Sequence, residues 1–249
     1  MKIINLLKTL FTNKKENELI PAEIKLTKIL DISTGNLTSD FKETDYKSVR
    51  EFTESEIIDF IYKQNFHNLL YRELGFDQTK DISVLREQKK PFIVDSNTKP
   101  GDLDLVLFDK ENPEFAIAVE VKTVKFKTLE NLSVFTNKEK GLKEGIIQVN
   151  GYLKLGFHKT YLLVILLDES WQQKKENSIF NESGLENAEK LINPNILKNL
   201  DQNVGLIYMG VRQITNQSIH INTTVDIKNI QNVIPRNQLP RITKILKEK

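Results

Sequence analysis

Between Tyr161 and Leu167 the chain reads Tyr-Leu-Leu-Val-Ile-Leu-Leu with no polar interruption. The run falls far short of the roughly 20 residues a membrane-spanning helix needs. It has the length and the unbroken apolar character of a β-strand covered on both faces. A strand buried twice over obliges the rest of the chain to supply helices above and below a sheet. The fold class expected is therefore α/β, with a mixed central β-sheet flanked by helices.

The flanking pattern supplies those parts. Thr53 with Glu56 three residues on is a capping box, and predicts a helix start. Ile57, Ile58, Ile61, Phe66, Leu69, Leu70 and Leu74 follow at helical spacing, and Gly75 is placed to end the run. Strands are expected at Ile82–Leu85, Phe92–Val94, Asp102–Asp109 and Glu114–Val124, the last two joined by a hairpin at Lys110-Glu111-Asn112-Pro113. Lys125–Lys140, basic and polar, reads as a loop. A helix over 141–155 carries Leu142, Ile146, Val149 and Leu153 on one face; a further helix over 184–199 and a strand over Gly205–Val211 follow. The division expected is a lead-in at 1–50, a core at 51–213 and a C-terminal extension with a basic tail at 214–249.

Composition narrows the chemistry. The chain has no cysteine and three histidines, His67, His158 and His220. Disulfides and thiolate metal sites are excluded, and a bound metal must rest mainly on oxygen ligands, which favours Mg²⁺, Mn²⁺ or Ca²⁺. The first eleven residues resemble a secretory signal, but Lys8 interrupts the apolar stretch and Lys14-Lys15-Glu16 stands where small residues should mark a cleavage site. An amphipathic helix is expected there, in a cytoplasmic protein with no membrane association. A net charge of +2 permits nucleic-acid binding without arguing for it.

The hairpin carries the most specific signal. Alternate side chains of a strand share a face, so Asp102, Asp104 and Val106 point one way. On the returning strand Phe115, Ile117, Val119 and Val121 form the greasy face, and Ala116, Ala118, Glu120 and Lys122 the opposite one. Glu120 and Lys122 then project side by side, about 7 Å apart. Glu-x-Lys alone means little, because it occurs at Glu23/Lys25, Glu87/Lys89 and Glu120/Lys122. Only the last lies in a long strand beside an Asp-bearing strand. Carboxylates gathered on a small apolar face repel one another unless a cation sits between them. The alternative is a salt-bridge ladder on an exposed sheet face, for which Ala116 and Ala118 are poorly suited.

Three segments in order, Gly101-Asp102-Leu103-Asp104, Glu120-Val121-Lys122-Thr123 and Gln148-Val149-Asn150-Gly151-Tyr152, resemble the PD-(D/E)xK nucleases, and most closely their RecB-like and Cas4-like branch. The resemblance covers about 53–167. It implies a restriction-endonuclease-like core of order αβββαβ, with Asp104 and Glu120 as Mg²⁺ ligands, Lys122 as the catalytic lysine, and Gln148 and Tyr152 supporting the site. The branch often carries a histidine in the preceding helix, which makes His67 a further expected metal ligand; Glu56 and Glu73 stand in reserve, because other members use a glutamate. The iron–sulfur cysteines of some members are absent.

Lys122, Lys125 and Lys127 are expected to alternate on one strand face and to meet phosphates, and the C-terminal tail offers Arg236, Arg241, Lys244, Lys247 and Lys249. Phe126 and Phe135 are read as packing residues with base stacking as the alternative. The function expected is Mg²⁺-dependent DNA hydrolysis in repair, restriction or antiviral defence, by a homodimer or with a partner protein. The alternatives are an RNase or structure-specific nuclease on the same fold, and a non-catalytic nucleic-acid-binding or scaffold module.

Overall fold

The computed structural model of the protein describes residues 52–77, 79–88, 92, 102–129, 132–134, 139–168, 192, 194–215 and 221–249. The expected N-terminal lead-in, Phe135 and most of the expected helix 184–199 lie outside the described residues. So do residues 93 and 94 of one expected strand, whose Phe92 is a fully buried turn residue.

The expected first helix is two. Helix α1 (Glu54–Lys63) opens with the capping box, Thr53 and Glu56 each satisfying the other's backbone N–H; such a cap contributes about 1 kcal/mol. Asn65 then adopts a left-handed conformation at φ 61° and breaks the helix, which asparagine tolerates better than most residues. Helix α2 (His67–Leu74) follows and ends at Gly75, whose φ of 85° strains any residue with a Cβ. After it come β1 (Ile82–Gln88), β2 (Leu103–Asp109), a short 3₁₀ turn (Pro113–Phe115), β3 (Ile117–Leu129), β4 (Leu132–Val134), α3 (Glu139–Tyr152), β5 (Lys159–Asp168), α4 (Pro194–Leu197), β6 (Gly205–Thr215), β7 (Ile221–Gln231) and α5 (Pro240–Lys247).

The strands form one mixed sheet in the order β1-β2-β3-β5-β6-β7, with β4 paired to β3. β3, β5 and β6 run parallel to one another and the remaining pairings are antiparallel. The protein is thus α/β, with a mixed central sheet flanked by helices. β5, the all-apolar run, sits between β3 and β6 with Leu162 through Leu167 all at or below 1% exposure. β3 outruns its expected end. Lys125–Leu129 continue the strand and β4 folds back on it, pairing Lys127 with Val134, so part of the segment read as a polar loop is a two-stranded arm.

Ala116, just before β3, and Ala118 and Val124 within it share a buried cluster with Leu142, Ile146, Val149 and Tyr152 of α3. The Glu120/Lys122 face is therefore the face that α3 covers. The C-terminal residues belong to the same core. Ile242 and Leu246 of α5 are buried at 0% and 2% exposure in that cluster. A strap over 232–239 leads to α5, with the Arg236 and Leu239 N–H groups donating to the His158 and Gly156 carbonyls at 2.9 Å. Gln238 accepts from the Ala116 N–H at 3.0 Å and donates to the Pro113 carbonyl at 2.7 Å. The described residues of 214–249 are thus no separate extension: every described residue falls in one compact unit. Among the described residues no helix is long and apolar enough to cross a membrane.

Candidate active site

β2 and β3 pair Val106 with Ala118 and Leu105 with Val119, which places Asp104 across from Glu120. The ladder ends there, and the Asp104 side chain takes over: its Oδ2 accepts the Val121 N–H at 2.7 Å. One oxygen of Asp104 is fixed by the backbone, while the carboxyl's pKa is raised by burial against the pull of that hydrogen bond and of Lys122.

Glu120 is fully buried, at 0% exposure, which rules out the exposed salt-bridge ladder. Tyr152, at the end of α3, touches two oxygens with its hydroxyl: the Asp102 carbonyl at 2.5 Å and Glu120 Oε2. A hydroxyl has one proton to give. That proton goes to Glu120 Oε2 or to the Asp102 carbonyl, one at a time. Burial, and then the Asp104 charge, push the Glu120 pKa up to about 7, against the opposing pull of Lys122 and Tyr152.

Lys122 stands beside this pair with its side chain 16% exposed. Its Nζ lies 2.7 Å from Glu120 Oε1, near enough for an ion pair but not directed as a hydrogen bond, and that oxygen has no hydrogen-bond partner among the described residues. Nζ donates instead to the Val121 carbonyl at 2.9 Å. Burial disfavours the ammonium, but Glu120, Glu54 and Asp104 outweigh it and hold its pKa above the ordinary lysine value.

Glu54 is the residue that sequence reasoning missed. It opens α1, and its Oε2 lies 3.7 Å from Lys122 Nζ. Its pKa is raised, by burial first and by Asp104 as well, against Lys122 and a hydrogen bond from the Thr123 backbone. The neighbouring candidates are otherwise occupied: Glu56 is spent in the capping box and Glu73 pairs with Arg72 at 3.2 Å. A signal was present. Glu54 precedes the buried Ile57, Ile58 and Ile61 by three, four and seven residues, which puts it on the inward stripe of the helix.

The remaining expected site residues divide. Gln148 is half-buried one turn ahead of Tyr152, and no bond ties it to the carboxylates among the described residues. His67 does not join the acidic cluster: its ring stacks on Tyr62 at 4.9 Å and meets the edge of Tyr71 at 5.1 Å. Burial lowers its pKa, as suits a neutral ring among aromatics. Lys125 does not share the Lys122 face. β3 pairs with β5 in unbroken register from Ile117 to Phe126, so an odd-numbered residue faces the opposite way. The side chains of Phe126 and Lys127 lie outside the described residues. In the C-terminal segment, Arg236 and Arg241 hold carbonyls at the end of α3, donating to Leu153 at 3.2 Å and Leu155 at 2.9 Å, whereas Lys244, Lys247 and Lys249 are exposed.

Among the described residues no group of three or more histidine, aspartate or glutamate side chains forms a ready metal cage; an ammonium stands among the acids instead. The donor set nonetheless suits a hard divalent cation. Three carboxyls face one lysine, two of their oxygens (Glu54 Oε2 and Glu120 Oε1) are buried without hydrogen-bond partners, and Mg²⁺ asks for only one or two carboxylates beside water and phosphate oxygens. No family model matches the chain, and comparison with the curated proteins finds no match.

Proposed function

We propose that the protein is a divalent-metal-dependent nuclease of the PD-(D/E)xK type that hydrolyses phosphodiester bonds in DNA. The observation that carries this reading is the convergence of Asp104, Glu120, Lys122 and Glu54, from two strands and a helix start, around one buried acidic point. A purely structural face would bury hydrophobic residues there at less cost, because a charged cluster of this kind is rarely stabilising.

Asp104 and Glu120 would hold Mg²⁺, with Glu54 as a third oxygen donor. When bound, the ion would polarise the phosphoryl group and acidify a water molecule. The chain's own residues do the remainder. The Val121 N–H holds one oxygen of Asp104, so its other oxygen is aimed without loss of side-chain freedom. The Tyr152 hydroxyl donates to Glu120 Oε2 and holds that carboxyl in place. Lys122, kept protonated by its carboxylate neighbours, places a positive charge where the developing charge on phosphate would appear.

The test is a panel of linear and plasmid DNA and of RNA, incubated with the full chain and Mg²⁺ or Mn²⁺. Cleavage should require the metal and fall on the order of 100-fold or more in Lys122→Ala, while nucleic-acid binding persists. Metal-independent cleavage, or wild-type rates in that variant, would refute the assignment. Cleavage of RNA alone would keep the site and replace the substrate.

A further inference from the structure

We infer that Gly145 of α3 is a positioning residue that fixes the path of the Lys122 side chain; the inference rests on the nuclease reading of this site. A Cβ built at Gly145 would lie 2.6 Å from Lys122 Cγ, 3.1 Å from Cδ and 2.9 Å from Cε. Three successive methylenes of the lysine thus run through the space that a side chain at 145 would fill. Gly141, one turn earlier on the same helix, has nothing within 4 Å of such an atom.

Glycine is a poor residue for a helix interior, because it exposes backbone and loses the most conformational freedom on folding. At Gly145 that disadvantage has a counterpart. The helix approaches β3 closely enough to press the lysine stem into one lane, and the lane leads Nζ to Glu120 Oε1 and Glu54 Oε2. The nearest atom of the clash is Cγ, close to the root of the side chain. Relief therefore requires turning the first side-chain torsion, which carries the ammonium away from both carboxylates. A shift of the flexible tip alone does not suffice.

The closing experiment is a pair of cycles on the full chain: Gly145→Ala and Gly141→Ala, each in the wild-type and in the Lys122→Ala background. In kinetics, Gly145→Ala should lower kcat on the order of 100-fold, as expected for about 1 Å of misplacement, with KM within about twofold. It should produce no further loss once Lys122 is already alanine. Gly141→Ala should leave kcat unchanged.

In thermal unfolding without metal, Gly145→Ala should give no gain in Tm in the wild-type background. With the lysine removed, it should raise Tm by about 2–4 °C through helix propensity alone. Gly141→Ala should raise Tm similarly in both backgrounds. The inference is overturned by wild-type kcat in Gly145→Ala, by equal losses in both backgrounds, or by a Tm response that ignores Lys122. If the wild type cuts no nucleic acid, the nuclease reading fails separately, and the Tm cycle still decides whether Gly145 and Lys122 compete for one space.

Discussion

Glu120→Gln should turn a pH-dependent stability into a nearly flat one. The folded protein raises the Glu120 pKa from 4.5 to about 7, so the native state binds this proton more tightly than the unfolded chain does. The contribution is fully present below about pH 4.5 and is lost as pH rises through about 7. At about 1.36 kcal/mol per pH unit, the native state forfeits about 3 kcal/mol across that window, with no discount for solvent because Glu120 is fully buried. For a chain of this size the loss corresponds to about 6–12 °C in Tm. Glutamine keeps the shape and can still hydrogen-bond to Tyr152, but it cannot ionise. The assay is thermal unfolding of wild type and Glu120→Gln in chelator, from pH 4.5 to 8, read as the difference between the two curves so that other titrating groups cancel. The variant should gain on the wild type steadily up to pH 7 and hold that gain above it. Parallel curves would show that folding leaves the Glu120 pKa unshifted, and the stability assigned to its proton would have no basis.

Other substitutions separate the roles. Glu54→Gln should weaken Mg²⁺ binding about tenfold, seen as a smaller metal-induced rise in Tm; an unchanged rise would remove Glu54 from the metal's reach. Glu56→Ala, two residues on, should cost about 1 kcal/mol through the lost capping box and leave cleavage intact, and a loss of cleavage would reverse the assignment of the two glutamates. Tyr152→Phe removes a group that lowers the Glu120 pKa, so the pH at which Mg²⁺ begins to stabilise the protein should move upward. Ile242→Ala, at a fully buried position, should destabilise by about 2–5 kcal/mol in chemical denaturation; a change below 1 kcal/mol would mean that α5 is not part of the core.

The parts of the fold that follow from strict periodicity were legible in the sequence. Alternation put Asp104, Glu120 and Lys122 on one face, the apolar run of β5 demanded cover on both sides, and the Thr53/Glu56 pair fixed a helix start. The break at Asn65 was not legible, because the apolar spacing runs through it and only the left-handed backbone reveals it. The inward stripe of α1 does predict Glu54, but the capping box drew attention to Glu56 instead. His67 was misjudged because position along the chain says nothing of which neighbours a ring meets, and here they are tyrosines. Strand parity alone, followed past Lys122, would have set Lys125 on the opposite face. α5 escaped notice because eight residues with three lysines or arginines look like a solvated tail. Ile242 and Leu246, four apart, were the sign of a buried stripe.

The strap before α5 has a consequence for the order in which the molecule matures. Its hydrogen bonds reach back more than 75 residues to His158 and Gly156, and more than 120 to Ala116 and Pro113. A nascent polypeptide emerging from the ribosome can therefore assemble the hairpin and α3 long before the piece that fastens them has been translated. Acid cluster and lysine would be brought to their final setting only after the last helix is released.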